Sequence, residues 1–304
     1  MMLHRLQGTA ESHSTAQHIL RSVYGYKINS ERLLKKTIKS DTEKLLLSMC
    51  DERISGKPVQ YIVRAWEFRE CIIHCEPPVF IPRPETEDLV TLIVQGVRLY
   101  ENENILSEAF HINNWDVAYL QEFKNGENKF PPKALHFLEI GSGTGAISIS
   151  LAKAFNCHHQ FHAIDINPKA AVLTCKNAAL NNVKVDIQCC SFSQFLGDQI
   201  DKFDMIVSNP PYIPLSSASA MQEDILSQES PLALFSGLDG LELIREIIAS
   251  CSNLLEKHGQ LWLEIDPSQT TEITNICEKL SEIKLVSFVK DFQNLDRYCL
   301  IVRL

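Results

Sequence analysis

Three groups of residues in this 304-residue chain could do chemistry together. Ser208-Asn209-Pro210-Pro211-Tyr212 follows the apolar run Phe203-Asp204-Met205-Ile206-Val207. The run reads as a buried strand. Two successive prolines cannot continue it, because each lacks a backbone N–H and has a fixed φ. The chain must leave its sheet there, at a strand's carboxyl end, where open α/β sheets bind ligands. An amide, a rigid kink and an aromatic ring are thereby set at that edge, although the four residues alone could form a plain Asn-Pro turn. The second group is Glu139-Ile140-Gly141-Ser142-Gly143-Thr144-Gly145. Its glycines let the backbone turn tightly and let a ligand approach without a Cβ in the way. A helix after them presents free N–H groups. The third is Asp165, twenty residues past Gly145, whose carboxylate can accept hydrogen bonds from two ribose hydroxyls.

The elements that must position these groups begin at residue 134, where strand and helix alternate as in a parallel α/β sheet. Strands are expected at Leu135–Ile140, Phe161–Ile164, Val185–Cys189, Phe203–Val207 and Gln260–Ile265. Helices are expected at Thr144–Ala154, from the Asn167-Pro168 cap to Asn181, at Leu238–Glu256 and at Ser268–Leu280. Two last strands, Leu285–Val289 and Tyr298–Val302, are close enough in sequence to pair antiparallel. Upstream, apolar residues at helical spacing over 10–55 predict three or more small helices, one capped by Asp41. Residues 56–82 predict a β-hairpin with Pro77-Pro78 at its bend. Pro84 suits the first turn of a helix, and Glu85, Glu87 and Asp88 complement its positive end. Residues 101–133 read as an exposed polar insertion.

A net charge of −9 argues against a broad phosphate-binding surface. No apolar run reaches the roughly 20 residues that span a bilayer. The ten cysteines include no CxxC pair and suit reduced thiols. Cys157-His158-His159 has no second ligand pair at metal spacing and reads as a loop after a helix, so no metal is expected.

The glycine loop does not by itself decide its ligand. The pattern G-x-x-x-x-G-K-[ST] is missing, which excludes a P-loop. Gly141, Gly143 and Ala146 loosely fit the dinucleotide fingerprint, so an NAD-dependent oxidoreductase competes. The form G-x-G-x-G opened by Glu139, with Asn-Pro-Pro-Tyr after the fourth strand, resembles the class I S-adenosylmethionine-dependent methyltransferases instead. Asn-Pro-Pro-Tyr suits a planar NH₂ as methyl acceptor. The Asn209 side-chain oxygen and the Pro210 carbonyl can take its two N–H groups and direct the lone pair at the methyl, a matter of positioning. Tyr212 can pack on the flat acceptor. A nucleobase amine and a side-chain amide both fit.

Further residues favour the amide. Arg53, Gly56, Pro58, Gln60-Tyr61-Ile62, Glu67-Phe68, Ile81-Pro82-Arg83-Pro84-Glu85-Thr86-Glu87, Glu139–Gly145, Asn209–Tyr212 and Glu229-Ser230-Pro231 occur in one order. The chain thus resembles, from about residue 10 to its end, the HemK/PrmC family of peptide chain release factor glutamine N5-methyltransferases. The resemblance implies a Rossmann-like, mostly parallel seven-stranded α/β domain at 84–304. Before it come a helical docking domain at 1–62 and a hairpin linker at 63–83. It implies methyl transfer from S-adenosylmethionine to the glutamine of a Gly-Gly-Gln loop in a class I release factor. The cofactor would be held by Glu139, Gly141, Ser142, Gly143, Thr144, Gly145, Asp165 and Asn209. The glutamine would be held by Asn209, Pro210, Pro211 and Tyr212, with Asn209, Pro210 and Tyr212 catalytic. Arg83 and Glu85 fall in a segment beside the cofactor site. A monomer is expected, with no membrane and no direct nucleic-acid partner.

The sequence departs from that family at Arg64, where glycine is usual, and at Cys190-Ser191, where an Asp and a bulky residue are common. Phe192 could supply a ring for the adenine. Pro77–Ile81 and Leu263–Pro267 resemble the eukaryotic mitochondrial branch, so mitochondria are expected, with cytoplasm the alternative. Two other functions stay open: a nucleic-acid amino methyltransferase with the same motif, and a cofactor-binding scaffold that has lost activity at Cys190-Ser191.

Overall fold

A computed structural model describes residues 5–6, 12–25, 39–101, 134–156, 158–198, 201–220 and 228–304. The expected helix around Leu33, Leu34 and Ile38, Cys157, and the expected insertion beyond Glu101 lie outside them.

Upstream of the large sheet are helices α1 (Ser12–Tyr24), α2 (Ser40–Ile54) and α3 (Val59–Val63), then the antiparallel hairpin β1 (Ala65–Phe68) and β2 (Cys71–His74). Helix α4 (Pro84–Glu101) leads toward the sheet domain. There, strands β3 (His136–Ile140), β4 (Gln160–Asp165), β5 (Asp186–Cys189), β6 (Phe203–Ser208), β7 (Leu255–Glu264), β8 (Ile283–Lys290) and β9 (Asp296–Arg303) form one sheet. The order is β5-β4-β3-β6-β7-β9-β8. The first five strands in that order pair parallel, and β9 is antiparallel to both neighbours. The helices between strands are α5 (Ala146–Ala154), α6 (Pro168–Leu180), α7 (Phe192–Asp198), α8 (Pro231–Leu234), α9 (Glu242–Leu254) and α10 (Thr270–Glu278).

All six positions of β6 are buried, as a central parallel strand covered on both faces requires. One core joins β2, α4 and α5 to one face of the sheet; the other joins α7, α9 and α10 to the opposite face. Loops after β3 and β6 diverge where the strand order reverses, the switch point at which such sheets open a crevice. A smaller core unites Leu6 with Ile19, Leu46, Met49 and Ile62 of the first three helices.

The hairpin corrects one expectation. Its turn is Arg69-Glu70, with Arg69 in the left-handed region at φ 52. Pro77-Pro78 lies beyond the hairpin, and residues 79–81 form no strand. Prolines donate nothing to a ladder, and here they carry an irregular segment from β2 to α4. Asp41 is also not the cap of α2: the helix starts at Ser40 after Lys39, with Asp41 inside its first turn. Asn167 does cap α6, its side-chain oxygen accepting from the Lys169 N–H at 3.0 Å.

Candidate active site

Ser208 ends β6 beside the end of β3, and its Oγ donates to the Ile140 carbonyl at 2.7 Å. The glycine loop and the Asn-Pro-Pro-Tyr segment therefore leave the sheet from two strand ends tied together. Between them is a cavity of about 310 Å³. Glu139, Gly141, Ser142, Gly143, Thr144, Asp165, Asn209, Pro210, Pro211 and Tyr212 all line it. Of the residues expected to hold cofactor or glutamine, Gly145 alone is not on its wall, and Arg83 and Glu85, expected beside the site, are not on it either.

The three loop glycines have positive φ, at 75, 54 and 79 for Gly141, Gly143 and Gly145. A Cβ at Gly141 or Gly143 would meet nothing within 4 Å, so these two present bare backbone to open space. At Gly145 a Cβ would come within 2.6 Å of Thr174 Cγ2, so that glycine serves helix packing. The Gly141 and Ser142 N–H groups donate to the Ile164 carbonyl, and Thr174 Oγ1 donates to the Gly143 carbonyl.

Asp165 accepts from the Gly143 N–H and the Asn167 N–H, both at 2.8 Å. Burial raises its pKa, and these two donors hold the rise back. A carboxylate has about four acceptor positions, so two remain for a ligand. Glu139 is turned inward, only 2% exposed, and accepts from the Ser148 N–H at 3.0 Å. Burial pushes its pKa up to about 8. Ile166 and Phe192 also line the cavity, with Cys190, Ser191 and Glu246.

The acceptor half is fixed from several directions. Gln269 Nε2 donates to the carbonyls of Tyr212 (3.3 Å) and Gly240 (3.1 Å). Gly240 has φ +78, and a Cβ there would overlap the Tyr212 carbonyl. Asn209 Nδ2 donates to Thr86 Oγ1 at 3.1 Å, and that hydroxyl donates to Glu264 Oε2 at 2.8 Å. Arg83, given no task by the sequence alone, donates to Glu229 Oε1 at 2.6 Å and lies 4.7 Å over the Phe80 ring. The Ser230 N–H donates to the Pro78 carbonyl. The proline-rich segment is thus bound to the loop that carries Glu229. Sequence reasoning assigned nothing to Glu264, Gln269 or Gly240. For Glu264 a signal was present, an acid in the apolar run at 261–265.

Comparison with known proteins gives the chemistry. Residues 125–237 match the Methyltransferase small domain family. A release factor glutamine methyltransferase of Lactococcus lactis is 33% identical over 89% of this chain and 87% of its own. The chain belongs to the release factor glutamine methyltransferases. The human MTRF1L release factor glutamine methyltransferase is 27% identical over 98% of this chain and 83% of its own length. Among solved structures, that of M. jannaschii tRNA m1G37 methyltransferase aligns over 79% of this chain and 56% of that one. Its TM-score is 0.45 at 14% identity. As a member of its family this chain is an S-adenosylmethionine-dependent methyltransferase with the class I α/β fold.

Proposed function

We propose that the chain methylates the side-chain amide nitrogen of the glutamine in the Gly-Gly-Gln loop of a class I peptide chain release factor. One observation carries this reading beyond family membership: a single cavity is shared by the glycine loop, Asp165 and Asn209–Tyr212. The bare backbone at Gly141 and Gly143 and the spare acceptor positions on Asp165 fit S-adenosylmethionine. Ser142, Thr144 and Asp165 would hold it with those glycines, over the floor made by Glu139. Gly145 would act from behind, by keeping α5 against α6. When bound, the cofactor supplies an electrophilic methyl group on a sulfonium sulfur.

The chain's own task is to present the acceptor nitrogen. An amide nitrogen is a weak nucleophile because its lone pair is delocalised. Asn209 Oδ1 and the Pro210 carbonyl accept its two N–H groups, favour pyramidal nitrogen and aim the lone pair along the transfer line. Pro211 and Tyr212 bound the flat amide. The proton leaves to solvent after transfer, so no base is required beforehand. Residues 1–62 act as a docking domain, 63–83 as a linker and 84–304 as the catalytic domain. Mitochondria are the proposed compartment, a reading supported by Pro77–Ile81, Leu263–Pro267 and the near end-to-end alignment with the human relative.

The test is mass spectrometry of a release factor's Gly-Gly-Gln peptide after incubation with enzyme and S-adenosylmethionine, beside a nucleic-acid arm. One methyl on the glutamine and none on nucleic acid is expected. Asn209→Ala should cut the rate by about 100-fold, the scale of one lost oriented polar contact in a transition state. Its cofactor binding should stay measurable. Label appearing on nucleic acid, or an unimpaired Asn209→Ala, would overturn the assignment.

A further inference from the structure

The side chain of Asn209 can do its proposed work only one way round. Its oxygen must face the acceptor amide, because an NH₂ there would set donor against donor. A planar amide reverses by a half-turn about one bond, and nothing in Asn-Pro-Pro-Tyr itself chooses between the two faces.

The choice is made by residues far off in sequence. Thr86, 4% exposed, stands on the first turn of α4. Glu264, 1% exposed, is the last residue of β7, the strand beside β6. The Glu264 carboxylate accepts the Thr86 hydroxyl proton at 2.8 Å. With its proton committed there, Thr86 Oγ1 offers a lone pair to Asn209, and Asn209 Nδ2 donates into it at 3.1 Å. When ionised, the Glu264 carboxylate only accepts, so it fixes the hydroxyl and, together with that hydroxyl, the Asn209 amide, whose side chain also hydrogen-bonds the carboxylate directly. The frame around them is tied as well: Tyr298 of β9, the register partner of Glu264, donates its hydroxyl to the Glu85 carbonyl at 2.7 Å. That bond holds the start of α4 over the end of β7.

We propose that Thr86 and Glu264 are positioning residues for methyl transfer, forming a one-way hydrogen-bond relay that turns the Asn209 side-chain oxygen toward the acceptor amide. This rests on the reading of Asn209 given above. It also accounts for why Thr86 sits in the proline-rich segment Pro82–Glu87, which carries it to the acceptor pocket without placing it in the acceptor motif.

The relay is tested in the full-length chain with Thr86→Val, Thr86→Ser and Glu264→Gln. Three readouts are used: steady-state methylation of a release factor, S-adenosylhomocysteine affinity, and the side-chain NH₂ signals of asparagine in selectively ¹⁵N-labelled protein. Thr86→Val keeps the shape and removes the hydroxyl. It should lower kcat by about 30- to 100-fold and leave the affinity for S-adenosylhomocysteine within about twofold. Thr86→Ser should recover most of the loss. Glu264→Gln should fall between them, because its amide oxygen can still accept from Thr86. Wild-type protein should show one exchange-protected Asn209 side-chain N–H that disappears in Thr86→Val. Three results would overturn the relay: an unchanged kcat in Thr86→Val, a loss of cofactor affinity in place of kcat, or a Thr86→Ser variant as slow as the valine. If wild-type enzyme modifies no release factor, the functional reading fails on its own control. The Asn209 signal then still decides the relay, since an unprotected side-chain N–H in the wild type rules it out.

Discussion

Glu139 holds a carboxyl group almost wholly out of water, and the consequence is measurable as a pH dependence of stability. Burial, opposed by hydrogen bonds from the Ser148 hydroxyl and N–H and aided by the charge of Asp165, raises its pKa from 4.5 to about 8. The folded chain therefore binds a proton that the unfolded chain has released between about pH 4.5 and 8. Stability from this group is complete at the acid end and is lost as pH climbs through the folded value, at up to about 1.4 kcal/mol per pH unit. Glu264, pushed up to about 7, adds to the same slope. Glu139→Gln keeps an oxygen for the Ser148 N–H and cannot titrate. Its melting temperature should vary less between pH 5 and 8 than that of the wild type, by differential scanning fluorimetry. Identical profiles would show that Glu139 is not protonated in the fold. Glu139 was legible in the sequence as an acid opening a glycine loop. That it turns inward to the helix backbone was not, because the direction depends on Ser148, nine residues on.

Helix α6 joins the hairpin to the catalytic sheet through two asparagines. Asn177 accepts from the His74 N–H (2.8 Å) and donates to the His74 carbonyl (3.0 Å) and the Thr144 carbonyl (2.9 Å). Asn181, its C-cap, accepts from the Ile72 N–H (3.1 Å) and donates to the Ile72 carbonyl (2.8 Å). Spaced one helical turn apart, they match alternate residues of a strand. Asn177→Ala would strip partners from three backbone groups at a fully buried position. It should cost about 2–4 kcal/mol in denaturant unfolding, with faster hydrogen exchange at the His74 amide as the local sign. The strands and the alternation of strand and helix were readable because buried parallel strands are short apolar runs between turn signals. The bend of the hairpin was not: Pro-Pro is a strong turn signal, whereas Arg69-Glu70 turns through a left-handed arginine that no residue type announces. Contacts such as Asn209 to Thr86 and Thr86 to Glu264 span 123 and 178 positions, so only the fold reveals them.

For the whole molecule, the shared cavity makes stability depend on what fills it. Saturating S-adenosylhomocysteine at about 100 times its Kd should add about 2.7 kcal/mol, a rise of about 4 °C for a chain of this size. NAD should add none. A larger shift with NAD would return the glycine loop to the dinucleotide reading. The asparagine pair on α6 has a second effect at this scale. The outer edge of β2 carries the unpaired N–H and C=O groups that let one chain add its strand to another's. Here side chains, not a neighbouring strand, occupy Ile72 and His74 on that edge. The same two residues that fasten the hairpin therefore also close its open edge to a strand of another chain.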